Sequence, residues 1–391
     1  MKVSENILTR RVANVLPTRA GLEKLMGERK IKLYQGFDPT GTRLHLGHSI
    51  GLRKLMEFAE AGHEVIFLFG TGTVLAGDPS QREEARARIA AEQIEHNIAD
   101  WKNQVKAIVD FNKVSVMYNG EWLLKLNLRD IIEIASNISA VQLFKRDMFQ
   151  KRIDKGDTVW MHETLYPLLQ GYDSVAMDVD LEIGGTDQEF NMLIGRDLVK
   201  KMKNKEKYVL TVPMILGTDG KQMSKSSGNC VWLNDTPRDM YAKLLQVPDD
   251  QIVTYMDLVT NLESGRVSEV EKGLKSGSIH PLDAKKELAI SVVSELHSPE
   301  DAQTAKSEFE STFNKGETPE NIPIYAVSGG SINLTDVLTE TGLSQSRSDA
   351  RRLIEQGGIE WNGEKVKEEN LSVESSGTLR VGKFRFLKLE K

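Results

Sequence analysis

The sequence has a single cysteine, Cys230, among its 391 residues, so no disulfide can form within one chain. This cysteine usage fits a reducing compartment, and we expect Cys230 to be a small buried apolar side chain. Long apolar runs are also missing, because the stretch 65–69 is typical of the longest, whereas a membrane-spanning helix needs roughly 20 apolar residues. The amino terminus carries Arg10 and Arg11 but no apolar signal-peptide core. These absences favour a cytoplasmic protein without a membrane segment.

The sequence also lacks an excess of positive charge. Its 51 Lys and Arg residues stand against 57 Asp and Glu residues, which gives a formal net charge of −6. This balance argues against a surface coated for nonspecific nucleic-acid binding, although a local basic patch remains possible. A hydrophobic content of 39% and a length of 391 residues predict a soluble globular protein of two or three domains.

Two common nucleotide-binding motifs are absent. The loop after the apolar stretch 65–69 begins Gly70-Thr71-Gly72, but Leu75 stands where the third glycine of G-x-G-x-x-G belongs. The pattern G-x-x-x-x-G-K-[ST] occurs nowhere in the chain. The loop is therefore interpreted either as a tight turn or as the backbone wall of a site, with Asp78 facing the ligand.

Two histidines, His45 and His48, stand three residues apart at the predicted start of a helix. Residues i and i+3 share a helix face, so both imidazoles can face one ligand. The first N–H groups of a helix have no partner within it, which makes such a start a natural anion site. Gly47 between the histidines allows a flat ligand close to the backbone. On this segment alone, a surface or structural histidine pair is the more common alternative.

The hydrophobic pattern predicts an α/β fold. Short apolar strands alternate with helices, a pattern typical of a parallel sheet whose ligands bind beyond the carboxyl ends of the strands. Helices are also predicted over 1–30, and a long polar helix from Arg82 to about Asp110. The predicted strands, in chain order, are 31–37, 65–69, 114–118, 180–183 and 208–215. Loops at 36–48, 70–80 and 184–188 follow three of them.

A polar stripe marks the next predicted helix, where Tyr166, Gln170 and Asp173 stand at spacings of four and three. These three side chains share one helix face. The alternative is an ordinary solvent face, but the stripe contains no Lys, Arg or Glu, so a ligand role is equally favoured. Pro167 indicates that the helix starts or kinks there.

The segment between the strand 114–118 and this helix contains more apolar side chains than the packing of one helix pair needs. The surplus indicates an interface, perhaps with a second subunit. Its residues are Trp122, Leu123, Leu124, Leu126, Ile131, Ile132, Ile134 and Ile138.

The carboxyl-terminal half changes character. Residues 221–229 are small, flexible and basic, as in a mobile phosphate-binding loop. Residues 236–315 are strongly helical, and 315–332 resemble a linker in composition. In the segment 331–391 a predicted helix carries Arg347, Arg351 and Arg352, followed by a strand, an Asn362-Gly363 hairpin turn and a returning strand over 365–367. The arginines suit an RNA backbone, but a solvated helix face is the more common alternative.

These motifs together resemble a known family. His45-Leu46-Gly47-His48 and Gln222-Met223-Ser224-Lys225-Ser226 resemble the HIGH and KMSKS signatures of class I aminoacyl-tRNA synthetases. Further segments resemble the active site of bacterial-type tyrosyl-tRNA synthetases, and the carboxyl-terminal segment resembles the S4-type RNA-binding module. Those further segments are Tyr34 to Thr40, Gly77 to Ser80, Tyr166 to Asp173 and Gly184 to Gln188.

The resemblance implies a two-step activity. Tyrosine and ATP give tyrosyl-adenylate and pyrophosphate, and the tyrosyl group then passes to tRNA(Tyr). Tyr34 and Asp173 are expected to hold the phenol hydroxyl, and the ammonium group is expected to contact Asp78, Tyr166 and Gln170. Gln188 is expected near the tyrosine carboxylate. The phosphates are expected to contact Thr40, His45, His48 and Lys225, helped by Arg82 and Arg86. The other expected ATP contacts are Gly36, Asp38, Gly47, Gly185, Asp187 (near the ribose) and Met223.

The resemblance also implies an organisation and partners. It predicts a Rossmann-like parallel-sheet catalytic domain, an α-helical domain and a small α+β S4-like RNA-binding domain. Mg²⁺ should accompany ATP, and no zinc-ligand spacing occurs in the sequence. A homodimer in the cytoplasm is expected. The boundaries are 1–220 (with an inserted, dimer-forming segment at about 115–160), 221–320, a linker at 321–332, and 333–391.

The sequence departs from the family pattern at one place. Gln222 stands where the first lysine of KMSKS belongs, and the adjacent Lys221 could substitute if the loop shifts by one residue. Two alternatives remain. A tryptophan–tRNA ligase shares the signatures, although Tyr34, Asp173 and the S4-like segment argue against it. A noncatalytic RNA-binding protein on the same scaffold would not need His45, His48 and Lys225 together, and all three are present.

Overall fold

The computed structural model describes residues 7–78, 90–144, 147–223, 228–315, 322–327, 330–344, 346–382 and 385–391. The chain forms two compact units. The first contains Met1–Asn234 and Val247–Ala284, and the second contains Asp235–Gln246 and Lys285–Lys391.

The described residues form thirteen β-strands. They are β1 (Asn14–Leu16), β2 (Lys32–Phe37), β3 (Glu64–Phe69), β4 (Ser115–Tyr118), β5 (Leu181–Gly185), β6 (Tyr208–Val212), β7 (Ile324–Ala326), β8 (Ser331–Asn333), β9 (Ile359–Trp361), β10 (Glu364–Lys365), β11 (Asn370–Ser372), β12 (Gly377–Val381) and β13 (Arg385–Glu390).

Sixteen α-helices accompany them in the described part of the chain. They are α1 (Arg19–Glu28), α2 (Leu46–Glu60), α3 (Ala91–Val105), α4 (Gly120–Leu123), α5 (Leu128–Ala135), α6 (Ala140–Phe144), α7 (Asp147–Asp154), α8 (Met161–Ala176), α9 (Glu189–Lys203), α10 (Pro237–Leu244), α11 (Ile252–Val259), α12 (Ser264–Ser276), α13 (Pro281–Leu296), α14 (Pro299–Lys315), α15 (Leu334–Glu340) and α16 (Arg347–Glu355).

The first unit is built on a six-stranded sheet in the order β1-β6-β5-β2-β3-β4. All neighbours are parallel except β1, which runs antiparallel to β6. From β2 the chain adds strands first on one side of the sheet (β3 and β4) and then on the other (β5 and β6). At this switch point a doubly wound sheet has a crevice beyond the carboxyl ends of its strands. The predicted α/β fold with a parallel sheet is confirmed.

The central strand β3 contains a continuous apolar run, 65–69, because both faces of a parallel sheet are covered. In β3, residues 65–69 are all buried, as are Leu33 and Tyr34 in β2. Cys230 is also buried, as expected. The predicted strands 31–37 and 65–69 therefore match the structure to within one residue.

Three local predictions are wrong in part. The segment 1–30 is not helical throughout, because residues 14–16 form the edge strand β1, which pairs with β6. Pro17 is tolerated directly after this edge strand, since its missing N–H removes no hydrogen bond from the sheet. β6 ends at Val212 rather than at residue 215, because Pro213 has no N–H to donate. α8 does not start at Pro167, since it begins at Met161 and contains the buried proline in its interior.

The second unit contains helices and a small sheet domain. α10 to α14 confirm the helical prediction over 236–315. Of these helices, α11 and α12 belong to the first unit, whereas α10 and α14 belong to the second and pack on each other. The carboxyl-terminal sheet has the order β10-β9-β12-β13-β7, beside a two-stranded sheet of β11 and β8. The predicted turn is confirmed, since Asn362 (φ 49°) and Gly363 (φ 90°) both have the positive φ of a type I′ hairpin. The return strand is Glu364–Lys365, slightly earlier than predicted.

The predicted linker at 321–332 lies partly outside the described residues. Within its described part, Ile324–Ala326 forms β7 and pairs in parallel with β13. The core of this domain is a cluster of buried apolar side chains from both helices and from the two sheets. Its leucines and isoleucines are Leu334, Leu338, Ile354, Ile359, Leu371, Leu379, Leu387 and Leu389.

Candidate active site

A cavity of about 690 Å³ opens in the first unit at the carboxyl ends of β2, β3, β5 and β6. This is the position at which parallel α/β sheets bind ligands. Most of the residues predicted for the site line it: Tyr34, Gly36, Asp38, Thr40, His45, Gly47, His48, Asp78, Tyr166, Gln170, Asp173, Gly185, Asp187, Gln188 and Met223. Three other predicted residues, Arg82, Arg86 and Lys225, lie outside the described residues.

The two histidines lie together at the start of α2. Their ring centroids are 3.9 Å apart, and the His45 N–H donates to His48 Nδ1 at 3.2 Å. A Cβ added to Gly47 would lie 3.0 Å from His45 Nδ1, so the absence of a side chain leaves room for that imidazole. The N–H of Leu46 donates to the Val231 carbonyl and is therefore used within the protein. The imidazoles, more than the helix N–H groups, are the groups presented to the cavity.

A second group of side chains surrounds Asp173, which is buried in the cavity wall. Its carboxylate accepts hydrogen bonds from Trp122 Nε1 at 2.8 Å and from Asn119 Nδ2 at 3.0 Å. Burial raises the pKa of Asp173 well above its usual range, while the two hydrogen bonds act in the opposite direction. The Tyr34 hydroxyl lies 2.9 Å from Ser174 Oγ, and burial together with nearby Glu182 raises the Tyr34 pKa.

The Asp38 carboxylate connects this group to Tyr166. It accepts from the Tyr166 hydroxyl at 3.0 Å and from Thr73 Oγ1 at 2.7 Å. Asn119 Nδ2 also lies 3.0 Å from Thr73 Oγ1, so Asp38 and Asp173 belong to one hydrogen-bond network. Burial and the Asp38 charge raise the pKa of Tyr166, which keeps its hydroxyl as a donor at neutral pH.

A third group joins the loops that follow β3 and β5. Gln188 Nε2 donates to Asp78 at 2.9 Å and to Asp187 at 3.1 Å. Asn191, one turn into α9, donates to Gln188 Oε1 at 3.0 Å. The amide of Gln188 is thus oriented by three neighbours, with two carboxylates beside it.

Beneath Tyr34, the Glu182 carboxylate collects several donors. It accepts from Gln170 Nε2 at 3.0 Å and from Ser174 Oγ at 3.3 Å, and it forms an ion pair with Lys207. Both charged side chains are buried, with relative exposures of 2% and 0%. The polar stripe on α8 is therefore not a solvent face, because Tyr166, Gln170 and Asp173 all line the cavity.

The sequence reasoning missed several of these residues. Thr73, Asn119 and Glu182 all line the cavity without having been predicted, and Lys207 lies behind it. Asn119 directly follows the carboxyl end of β4, a position that could have identified it. Trp122 was expected to contribute to an apolar interface, and the sequence reasoning missed the hydrogen bond from its ring N–H to Asp173.

The basic loop is described up to Met223. Gln222 and Met223 line the cavity, whereas the backbone N–H of the exposed Lys221 donates to Asp219 at 3.0 Å. Of these two adjacent residues, Gln222 lines the cavity and Lys221 does not.

The arginines of α16 lie on the surface of the second unit. Each is in an ion pair: Arg347 with Asp336 at 2.7 Å, Arg351 with Glu369 at 3.0 Å and Arg352 with Asp349 at 2.7 Å. Such exposed pairs contribute about 0–1 kcal/mol each, so an RNA phosphate could compete for the guanidinium groups.

Among the helices in the described part of the chain, none has the length and apolar character of a membrane span.

Two family models together match residues 26–389 of the chain. A model for class I tRNA synthetases (W and Y) matches residues 26–314, and a model for the carboxyl-terminal domain of SYY-like tyrosine–tRNA ligases matches residues 314–389. A tyrosine–tRNA ligase of Thermotoga maritima is 39% identical over 386 residues, covering 98% of this chain and 96% of that protein. The tyrosine–tRNA ligase of Carboxydothermus hydrogenoformans is 38% identical over 402 residues, covering 100% and 98%.

Solved structures share the fold. A carboxyl-terminally truncated mitochondrial tyrosyl-tRNA synthetase of Aspergillus nidulans superposes with a TM-score of 0.67 at 22% identity, covering 78% of this chain and 93% of that one. The tyrosyl-tRNA synthetase of Archaeoglobus fulgidus, solved with L-tyrosine, gives a TM-score of 0.64 at 24% identity, covering 78% and 99%.

Proposed function

We propose roles for the residues of the cavity on one premise: the chain belongs to the tyrosine–tRNA ligases, a family of class I aminoacyl-tRNA synthetases. It is therefore an enzyme that activates tyrosine with ATP and transfers it to tRNA. The tryptophan and noncatalytic alternatives are set aside, because relatives covering nearly the whole chain are tyrosine–tRNA ligases.

Tyr34 and Asp173 recognise the phenol hydroxyl. The observation that carries this assignment is that both buried side chains line one cavity, with Tyr34 bonded to Ser174, the neighbour of Asp173. A site built to bind a hydroxyl rejects the analogue that lacks it, because its buried polar groups would then be unpaired. Tyrosyl-tRNA synthetases are themselves the standard example, with rejection of phenylalanine by about 10⁵.

The tyrosine ammonium group lies among Asp78, Tyr166 and Gln170. Asp78 supplies negative charge, and the Tyr166 hydroxyl is held by Asp38 at 3.0 Å. Gln170 Oε1 is buried and has no hydrogen-bond partner among the described residues, so it can accept from an ammonium group. Gln188, held against Asp78, lies near the tyrosine carboxylate.

The phosphates of ATP lie at the opposite part of the cavity, against Thr40, His45 and His48, with Lys225 added from the signature loop. The tyrosine carboxylate is already a nucleophile and attacks the α-phosphorus, breaking its bond to the pyrophosphate oxygen. Catalysis therefore consists of alignment and of stabilising negative charge on the departing pyrophosphate. Arg82 and Arg86 are assigned the same kind of role. The remaining ATP contacts are Gly36, Asp38, Gly47, Gly185, Asp187 and Met223.

Mg²⁺ enters with ATP, since magnesium is typically bound through substrate phosphates. We assign no residue to the ion, because the described residues present no group of three or more His, Cys, Asp or Glu side chains placed to hold a metal.

In the second step a terminal ribose hydroxyl of tRNA(Tyr) takes the tyrosyl group and AMP leaves. Arg347, Arg351 and Arg352 contact the RNA backbone. We keep the proposed division into a catalytic domain (1–220), a signature loop with a helical tRNA domain (221–320), a linker (321–332) and an S4-like domain (333–391). The arginine-bearing α16 lies in the last of these.

Two copies of the chain associate through the inserted segment at about 115–160. It exposes large apolar side chains, among them Leu128 (73%), Ile132 (59%) and Val141 (64%). Burial of such a patch against a second copy is favourable by roughly 25 cal/mol per Å² of apolar surface. A cytoplasmic location is supported by the single cysteine and by the role in protein synthesis.

The test is pyrophosphate exchange into ATP with tyrosine, phenylalanine and tryptophan side by side. Asp173→Ala should raise the KM for tyrosine by about 10- to 100-fold, the equivalent of a hydrogen bond to a charged group. The KM for ATP should change less than about twofold. The exposed Asp283→Ala serves as a control. An equal loss for both substrates contradicts the assignment of Asp173.

A further inference from the structure

The loop 39–44 joins β2 to α2, carries Thr40 and leads directly into His45. It forms neither helix nor strand, so its backbone groups have no regular ladder of hydrogen bonds. A backbone N–H or C=O that is shielded from water is costly without a partner, and in such a loop side chains commonly supply the partner. The conformation of this loop therefore depends on the part of the chain that provides those side chains.

Two buried side chains of α3 bond to the carbonyls of the residues before and after Thr40. Asn97 Nδ2 donates to the Pro39 carbonyl at 2.8 Å, and Trp101 Nε1 donates to the Gly41 carbonyl at 2.6 Å. The relative exposures of the two side chains are 2% and 3%. The donor is defined in both bonds, because a backbone carbonyl only accepts. Both neighbours of Thr40 are thus held by one helix.

Gln104 holds the next part of the loop. Its Nε2 donates to the Thr42 carbonyl at 2.6 Å, and its Oε1 accepts from the Leu44 N–H at 2.9 Å. The two bonds fix the amide in one orientation, because the reversed amide would place oxygen against oxygen and N–H against N–H. Gln104 does not line the cavity. It contacts the backbone that leads into His45.

These three side chains form the loop-binding face of α3, which consists of Asn97, Trp101 and Gln104. Their spacings of four and three residues place them on one side of the helix. Asn97 is also oriented from behind, since its Oδ1 accepts from Gln93 Nε2 at 2.9 Å. A buried amide or indole N–H is costly unless it is hydrogen-bonded, whereas an apolar side chain has no such requirement. The bonds to the loop account for polar groups at these positions.

The same backbone is held from the other side by the segment that follows the signature loop. The Leu233 N–H donates to the Leu44 carbonyl at 2.8 Å. Because Gln104 accepts from the N–H of Leu44, both backbone groups of this residue are bonded. His45, the next residue, therefore extends from a fixed position.

The placement of this loop bears on the chemistry assigned to it. The tyrosine carboxylate is already a nucleophile, so the protein contributes alignment and the stabilisation of charge on pyrophosphate. Groups that are held in place before the reaction need no reorganisation as this charge develops. A displacement of about 1 Å can cost about 100-fold in rate. Gln104 supplies such a hold from outside the cavity.

We propose that the loop-binding face of α3 positions Thr40 and His45 for the departure of pyrophosphate, and that Gln104 is a positioning residue that acts through His45. The proposal rests on the proposed function, which places the phosphates of ATP against these side chains. Gln104 bonds to backbone at the phosphate end of the cavity, so its effect belongs to the chemical step and not to the binding of tyrosine.

The test is a double-mutant cycle in pyrophosphate exchange. Gln104→Ala removes both bonds to the loop and should lower kcat about tenfold or more, with the KM for tyrosine within about twofold of wild type. In a His45→Ala background the same substitution should lower kcat less than about threefold, because the group that Gln104 positions is already absent. Asn103→Ala is the matched control at the exposed neighbour of Gln104 on α3, and it should leave kcat within about twofold in both backgrounds.

A second variant tests the Thr40 end of the loop and decides the question if Gln104→Ala does not fold. Trp101→Phe keeps an aromatic ring and removes the N–H that bonds to Gly41. It should lower kcat about three- to tenfold, and this loss should disappear in a Thr40→Ala background. A side chain that only stabilises the fold would lower kcat by the same factor in both backgrounds.

The outcomes separate this proposal from the proposed function. If His45→Ala leaves kcat unchanged, the phosphates do not lie against His45 and the proposed function of that residue fails. If His45→Ala lowers kcat but Gln104→Ala leaves it within about twofold of wild type, the positioning role alone is overturned. The positioning role is also overturned if Gln104→Ala lowers kcat by the same factor with and without His45.

Discussion

Trp122 donates its ring N–H to the Asp173 carboxylate at 2.8 Å, which ties α4 to the polar face of α8. Asn119 donates to the other carboxylate oxygen at 3.0 Å. A buried carboxylate with two such donors stays oriented toward the cavity. Both donors come from the segment just after β4, so the amino-acid pocket depends on a part of the chain remote from the signature motifs.

Trp122→Phe should weaken tyrosine recognition by about 3- to 10-fold, because it removes one hydrogen bond to a buried carboxylate but keeps an aromatic ring. In the wild-type protein the hydrogen bond from Trp122 lowers the pKa of Asp173. The variant lacks this bond, so the pKa of Asp173 should be higher than in wild type. As pH falls, the KM for tyrosine should therefore begin to rise at a higher pH than in wild type. Identical pH profiles contradict this. Trp160→Phe, at an exposed tryptophan, is the control.

His45→Ala should reduce kcat of pyrophosphate exchange by about 10²- to 10³-fold, the usual cost of removing one group that stabilises transition-state charge. The KM for tyrosine should stay within about twofold, because His45 is assigned to the phosphates. His96→Ala, at an exposed histidine paired with Asp100, should have wild-type kinetics. A rise in the tyrosine KM without loss of kcat would show that His45 is misassigned.

Ile132→Lys should shift the enzyme toward monomers, because it places a charge in the apolar patch of the inserted segment. Sedimentation velocity at several concentrations measures the change. Leu282→Lys replaces another exposed apolar side chain (42%) outside that segment and should leave association unchanged. If both variants behave like wild type, the dimer surface lies elsewhere.

Replacing Arg347, Arg351 and Arg352 together with alanine should spare pyrophosphate exchange and weaken tRNA charging. The expected effect is a raised KM for tRNA(Tyr) and a shallower dependence of binding on salt, since each phosphate contact contributes to the salt slope. The matched triple variant replaces Arg19, Lys24 and Arg266, which also belong to exposed ion pairs. Equal charging by both triple variants contradicts an RNA role for α16.

Asp180→Asn should lower stability at neutral pH and lose that effect in acid. Burial raises the pKa of Asp180, but hydrogen bonds from Arg29, Lys32 and Lys205 outweigh it and leave the pKa below its usual value. A carboxyl group whose pKa is lower in the folded than in the unfolded protein stabilises the folded protein at pH values above the unfolded-state pKa, about 3.9. This stabilisation is lost as the pH falls through the folded-state pKa. The difference in melting temperature between wild type and variant should therefore begin to shrink as pH falls below about 4. A constant difference contradicts the linkage.

Much of the fold could be predicted from local patterns. The continuous apolar run 65–69 predicted β3, and spacings of three and four residues placed Tyr166, Gln170 and Asp173 on one face of α8. The edge strand β1 and the end of β6 were not predicted correctly. β1 forms only through pairing with β6, and the end of β6 depends on Pro213. The roles of Arg82, Arg86 and Lys225 stay predictions, since these residues lie outside the described part of the chain.

The sequence by itself determined the family, the parallel sheet and the main cavity residues, because strand periodicity and short motifs are written in consecutive positions. Only the tertiary structure decided which polar partners those residues have. Asn119 meets Asp173, and Lys207 meets Glu182, across 54 and 25 positions of the chain. No local pattern encodes such pairs. They follow from burial, because a charge or hydrogen-bonding group that is removed from water is costly unless another group of the protein takes the place of water.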